Sequence, residues 1–306
     1  MTDTSQAGFS FVPATTFGVT PATPVFQSLR FLTETLTPQV ETLISNEVRA
    51  DAEVSEVRRS GMTASGEATF ELHRNANLEA LLAAGVRGTW NNNVCKSGLE
   101  KPHFTFERKI EAGATDYYLR FEGGRVNGFT LNIAPEEFVT GSLKLMTAGH
   151  TASPTMVTGA TYPGPTGING IPMTGVDVSS LAVGGAPGVD FLGLTIEVDL
   201  AMRQQRKIGQ QALRGLGYGR RTVTGTLRAY FEDLTAYNMF MADEASSIVT
   251  TISDGDNTFG IALPRIKFTG GDVPNPGNDQ DFILAMTYQA TFDPTLACSI
   301  QLTRSA

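Results

Sequence analysis

Met62-Thr63-Ala64-Ser65-Gly66-Glu67-Ala68-Thr69-Phe70-Glu71-Leu72 alternates without a break. Successive side chains of an extended chain point to opposite faces. Met62, Ala64, Gly66, Ala68, Phe70 and Leu72 therefore share one face, and Thr63, Ser65, Glu67, Thr69 and Glu71 share the other. The stretch predicts a strand with one dry and one wet side. A helix is predicted next, over 75–84. Asn75 or Asn77 can cap it, Leu78, Leu81 and Leu82 form its apolar stripe, and Gly85 can end it. Working outward, strands are predicted at 26–33, 103–109, 116–122, 126–133 and 138–146.

The same unit recurs. Arg221-Thr222-Val223-Thr224-Gly225-Thr226-Leu227-Arg228-Ala229-Tyr230-Phe231 repeats the plan of residues 59–70: a basic residue, a Thr-rich strand with a central glycine, an aromatic exit. A short helix follows each, 77–84 in one case and 234–242 in the other. An alternating strand at 191–200 precedes the second unit as 26–33 precedes the first. Strands at 248–253, 258–269 and 282–292 follow it, the first two joined by the turn Asp254-Gly255-Asp256-Asn257. The central glycines lie 159 residues apart, at 66 and 225, and the leading strands 165 apart, at 26 and 191. Internal repetition on this scale predicts two similar β domains, 26–146 and 189–306. Residues 1–25, with Pro13, Pro21 and Pro24, read as an extended arm. Residues 147–188, with Pro154, Pro163, Pro165, Pro172 and Pro187 among glycines, read as a loop or linker without a packed element.

Composition narrows the function. The chain has 306 residues, 41% apolar and 18% charged, with 32 Gly and 15 Pro, which fits a turn-rich β protein. Its net charge of −8 lacks the clustered basic surface that grips nucleic acid through phosphates. Cys95 and Cys298 stand in no metal-ligand spacing and read as free, buried thiols. No apolar run reaches a membrane span, and the first twenty residues carry no secretion signal, so synthesis in the cytoplasm is expected.

Two long polar loops differ in sign. Residues 34–60 hold Glu34, Glu41, Glu47, Asp51, Glu53 and Glu56 against Arg49, Arg58 and Arg59. Residues 201–221 hold Arg203, Arg206, Lys207, Arg214, Arg220 and Arg221 and no acid. Opposite charge on matching loops predicts docking, within one chain or between stacked copies.

Catalytic and cofactor patterns are missing. His73, His103 and His150 are scattered, and neither a nucleophile elbow nor a Walker loop occurs. Gly215-Leu216-Gly217-Tyr218-Gly219 reads as a hinge rather than a phosphate loop. Glu136-Glu137 and Asp279 with Asp281 read as solvated turns. No enzyme, cofactor or metal site is expected.

Glu41-Thr-Leu-Ile-Ser-Asn46-Glu47-Val-Arg49-Ala-Asp51, with Val54-Ser-Glu-Val-Arg58 and Ser65-Gly66, resembles the N-terminal signature of major tail tube proteins of long-tailed bacteriophages. Leu263-Pro-Arg265-Ile-Lys-Phe268-Thr-Gly270, Asp279-Gln-Asp281 and Ala290-Thr-Phe292-Asp293-Pro294 resemble its closing part. The resemblance spans most of residues 26–294. It implies a mainly β chain of β-sandwich or barrel tube domains, each with one short packed helix, whose inner sheets join in a ring as a continuous barrel. It implies stacked rings in the virion tail that deliver double-stranded DNA without sequence-specific binding, and tail terminator, tape measure and distal tail proteins as partners. Two domains per chain would complete a pseudo-sixfold ring with three chains; without the repeat, six would be needed.

On that reading, Thr63, Ser65, Glu67, Thr69 and Glu71 are lumen candidates in the first domain. Thr195, Glu197, Asp199, Thr222, Thr224 and Thr226 are those of the second. Candidates for contacts between subunits or rings are Glu41, Asn46, Glu47, Arg49, Asp51, Arg58, Arg203, Arg206, Lys207 and Arg214. The rival reading is a β-sandwich adhesin, or a tail-tip or capsid-decorating protein.

Overall fold

The computed structural model describes residues 7–112, 115–164, 170–184, 190–232, 234–242, 244–275 and 277–305. The protein is mainly β, a sandwich built on one large antiparallel sheet with two short α-helices. In chain order the principal elements begin with β1 (Gly8–Pro13), β2 (Thr37–Ile44), β3 (Val57–Glu71), α1 (Ala76–Gly85), β4 (Phe104–Ala112), β5 (Thr115–Ile133), β6 (Thr140–Thr147) and β7 (Gly149–Ser153). There follow β8 (Val178–Val183), β9 (Phe191–Asp199), β10 (Thr222–Tyr230), α2 (Thr235–Met241), β11 (Ser246–Ser253), β12 (Thr258–Asp272), β13 (Ile283–Ala290) and β14 (Gln301–Arg304).

The two halves pair their strands by one scheme. In the first, β1 pairs with β4, β2 with β3, β3 with β6, β6 with β5, and β5 with both β4 and β7. In the second, β8 pairs with β11, β9 with β10, β10 with β13, β13 with β12, and β12 with both β11 and β14. Even the irregularities coincide. On β5 the register shifts just before Gly124 and beside Gly128; on β12 it shifts just before Ile266 and beside Gly270, each 142 residues further on. A bulge is a local choice of backbone, so two at matching places in two halves mark one topology used twice.

β5 then pairs with β9, from Ile133 opposite Leu194 to Gly128 opposite Asp199. This seam joins the halves into one inner sheet, β2-β3-β6-β5-β9-β10-β13-β12. Its dry face carries Ala68, Phe70, Phe129, Leu131, Leu143, Ile196, Val198, Leu227 and Met286, all buried. α1 lies on β5 and β6, and α2 on β12 and β13. The Asn75 side chain caps α1 by accepting from the Asn77 backbone N–H, as its sequence predicts. Leu78, Leu81 and Leu82 are fully buried, each burial stabilising by about 1.5–3 kcal/mol. Cys95 and Cys298 are free and buried.

Four expectations need correction. The 1–25 arm carries β1, whose Phe9 and Phe11 enter the core; residues 1–6 lie outside the described residues. The strand at 26–33 reduces to Gln27–Ser28 and Thr33–Glu34, because Phe26 and Leu29 both turn inward and alternation is lost. The polar stretch 34–60 is a hairpin, with β2 running back along β3, so β2 and not 26–33 occupies the place of β9. The Gly/Pro-rich stretch 147–188 forms β7 and β8, edge strands that bury little beyond Val183, while Met173 between them is also buried; Pro165 and Pro187 lie outside the described residues. In addition, Gly215–Gly217 is no hinge but a strand paired with Arg203–Gln205.

Candidate functional site

Residues directly opposite across paired strands share a face. Thr69, Glu67 and Ser65 on β3 stand opposite Ser142, Lys144 and Met146 on β6. Ser142 and Lys144 stand opposite Thr130 and Gly128 on β5, and these opposite Glu197 and Asp199 on β9. Thr195, Glu197 and Asp199 face Thr226, Thr224 and Thr222 on β10, which face Thr287 and Gln289 on β13. The register thus places Thr63, Ser65, Glu67, Thr69, Glu71, Thr195, Glu197, Asp199, Thr222, Thr224 and Thr226 on one side of one sheet, opposite the core.

Thr63 alone among them is shut off, at 2% exposure, where the 201–219 loop bonds back to Met62 through the Gln211 carbonyl. The sequence reading missed Thr130, Asn132, Thr140, Ser142, Lys144, Thr287 and Gln289 on the same face. Alternation over 140–147 and 283–290 was the available signal. Hydroxyls dominate the surface. Glu67, Glu71, Glu197 and Asp199 stand against Lys144, Lys267 and Arg228, and Lys144 is ion-paired to Glu197 across β5. Such a coat solvates phosphate weakly and offers no basic track for it.

Both long loops leave the same end of the sheet, since β2 and β9 run the same way and each leads into one. Glu41 forms an ion pair with Arg206, and this contact joins the acidic and basic loops within one chain. Asn46, Glu47, Arg49, Asp51 and Arg58 stand on the exposed hairpin, with Arg203, Lys207 and Arg214 on the partner loop, also exposed. Arg49 hydrogen-bonds Asp51 and holds its carboxyl below the ordinary value. Apolar side chains are exposed here too: Leu43 at 66%, Val48 at 98% and Ile208 at 99%. The opposite end is acidic, with Glu136, Glu137, Asp190, Asp272, Asp279 and Asp281 exposed.

Among the described residues no cluster of His, Cys, Asp and Glu could hold a metal ion. Comparison with protein families matches residues 4–290 to the family described as phage tail tube protein. The chain belongs to that family. It is accordingly a structural component of the virion tail and not an enzyme, and the family implies assembly into a tube with other tail proteins. None of the curated proteins compared with the chain matches it. No helix among the described residues is long and apolar enough to cross a membrane.

His73, just past the end of β3 in this tail tube subunit, is 3% exposed and holds the Glu71 carbonyl through Nδ1 at 2.6 Å. Burial, helped by the Arg30 charge, pushes its pKa below the ordinary 6.5. His150 is lowered in the same way, by burial and by Arg108. The unfolded chain therefore takes up more protons below pH 6.5, so the stability these groups contribute is full above 6.5 and is lost as pH falls. Unfolding free energy from urea titration should decline from pH 6.5 to 5, by at most about 1.4 kcal/mol per pH unit for each histidine. The decline should be shallower in His73→Gln.

Proposed function

We propose that three chains close into a ring with pseudo-sixfold symmetry, its inner sheets forming one continuous barrel through which genome DNA passes. The observation that carries this is the seam between β5 and β9. The chain already contains one junction between two copies of the same topology, and the free edges of its inner sheet, β2 and the end of β12, are those that could repeat it. Copying the internal register sets Thr37 opposite Asp272 and Gln39 opposite Gly270 of the next chain, as Glu197 stands opposite Thr130 and Asp199 opposite Gly128. Closure removes both edges, and with them the liability of an unpaired strand.

In the single chain that edge is guarded. The Thr35 N–H donates to the Glu67 carbonyl at 2.9 Å, so the backbone groups of Leu36 and Pro38 point to the free edge. Pro38 has no N–H, the Leu36 N–H is held by the Glu34 carboxylate, and the Leu36 carbonyl accepts from Arg108 at 2.7 Å. Pairing with a neighbour displaces these side chains, which disfavours random strand addition. The hydroxyl-rich face turns to the bore, where DNA slides without being held.

Rings stack, on this reading, by seating the loop of Arg203, Arg206, Lys207 and Arg214 on the acidic far rim of the next ring, with Val48 and Ile208 burying apolar surface. Native mass spectrometry of assembled particles tests the count: ring masses should be three times the 32.7 kDa chain. Rings of six chains would overturn the threefold reading, and a protein that stays monomeric under all conditions would overturn the ring. High salt should release rings from tubes before it opens them.

A further inference from the structure

The two helices hold matching places but differ in cover. Leu82 and Met241 each lie sixteen residues beyond their central glycine, Gly66 or Gly225, yet Leu82 is 0% exposed and Met241 60%. The start of the first helix is tied to the second half of the chain. Arg74, just before α1, donates to the Ser305 carbonyl at 3.1 Å and the Ser305 hydroxyl at 2.6 Å, and Glu79 within α1 pairs with Arg304. Arg74 also reaches the Thr258 carbonyl at 3.4 Å. The corner made by the start of β12 and the end of β14 is thus the cap of α1.

The first half has the same corner, at the start of β5 and the end of β7. Tyr117 stands opposite Ile110 as Phe259 stands opposite Ile252, 142 residues on. Phe259 is 1% exposed and Tyr117 45%. α2, for its part, borders an open cup of about 330 Å³ lined by Phe231, Leu234, Tyr237, Val273 and Phe282. Leu234 is 57% exposed and Phe282 49%. A corner without a helix to cap and a helix without a cap are what one chain leaves at the two ends of a ring segment.

We propose that the β5–β7 corner of one copy, led by Tyr117, seats on α2 and its apolar cup in the next copy, as β12–β14 seats on α1 within the chain. Exposed apolar surface of this kind marks an interaction site, and a tyrosine at its margin buries its ring while keeping its hydroxyl wet. The inference rests on the ring reading and adds to it a second contact on the outer side of the barrel.

Tyr117→Cys chains mixed with Met241→Cys chains and treated with a short bismaleimide test it. The native thiols are 0% and 1% exposed and should stay silent. Cross-linked dimers in the assembled fraction, and none among dispersed monomers, are expected. Rings that form without cross-linking overturn this contact and leave the ring reading standing; wild-type protein that forms no ring overturns the ring reading instead. Met241→Lys should reduce ring yield at least tenfold with its melting temperature unchanged, and wild-type yield from it would overturn the contact.

Discussion

Glu79→Ala should lower unfolding stability by about 3–5 kcal/mol, the loss expected when one partner of a buried ion pair is removed. Glu79 is 3% exposed and lies between two guanidinium groups, Arg74 and Arg304. Arg74 is itself 3% exposed. Deleting the carboxylate leaves that charge buried and uncompensated, which costs far more than the pair contributed. The pair is also a clasp between halves, since Arg74 and Glu79 belong to the first and Arg304 to the second. The loss should therefore appear in global unfolding, as a lower urea midpoint, and not as fraying of α1 alone. Asp51→Ala is the contrast: its partner Arg49 sits on the exposed hairpin, where solvent and salt screen the charges, and the midpoint should not move. A Glu79→Ala midpoint equal to wild type would mean that the two arginines find water on opening, and that the clasp does not hold the halves.

How much of this was open to a reader of the sequence depends on which strands have one dry face. β3, β9 and β10 do, and their polar sides could be named residue by residue before any coordinates. α1 was legible from its cap and leucine spacing. β2 was not: it carries Pro38 and is exposed almost throughout, so no apolar period marks it. β1 hides among prolines and glycines, and only Phe9 and Phe11 betray it. β7 and β8 pair at the margins, where a strand needs backbone partners more than an apolar face. Lumen candidates from both halves turned out to share one sheet face because alternation fixes the face of a strand. It does not fix the neighbour. The seam joins 128–133 to 194–199, and nothing in either segment names the other.

Gly128→Ala tests that seam. Gly128 has φ +126°, and a methyl placed there would stand 1.9 Å from the Val198 carbonyl oxygen, inside the partner strand's backbone. Strained φ and overpacking each cost about 1–3 kcal/mol, so a loss on the order of 4 kcal/mol is expected, read from urea or thermal unfolding. Gly193 serves as control on the same seam, since a methyl there meets only the Ile133 carbonyl at 3.4 Å, near ordinary contact. Gly193→Ala should stay within about 1 kcal/mol of wild type. The shape of the transition carries the further information. Halves sharing one sheet should unfold together in the wild type, in a single cooperative step. If the seam is what couples them, Gly128→Ala should separate the curve into two steps, each half retaining its own strand pairings while the β5–β9 pairing opens. A variant that loses stability in one undivided step would place the coupling instead in the links that remain between the halves, the pairing of β14 with Val94–Lys96 and the Glu79 clasp.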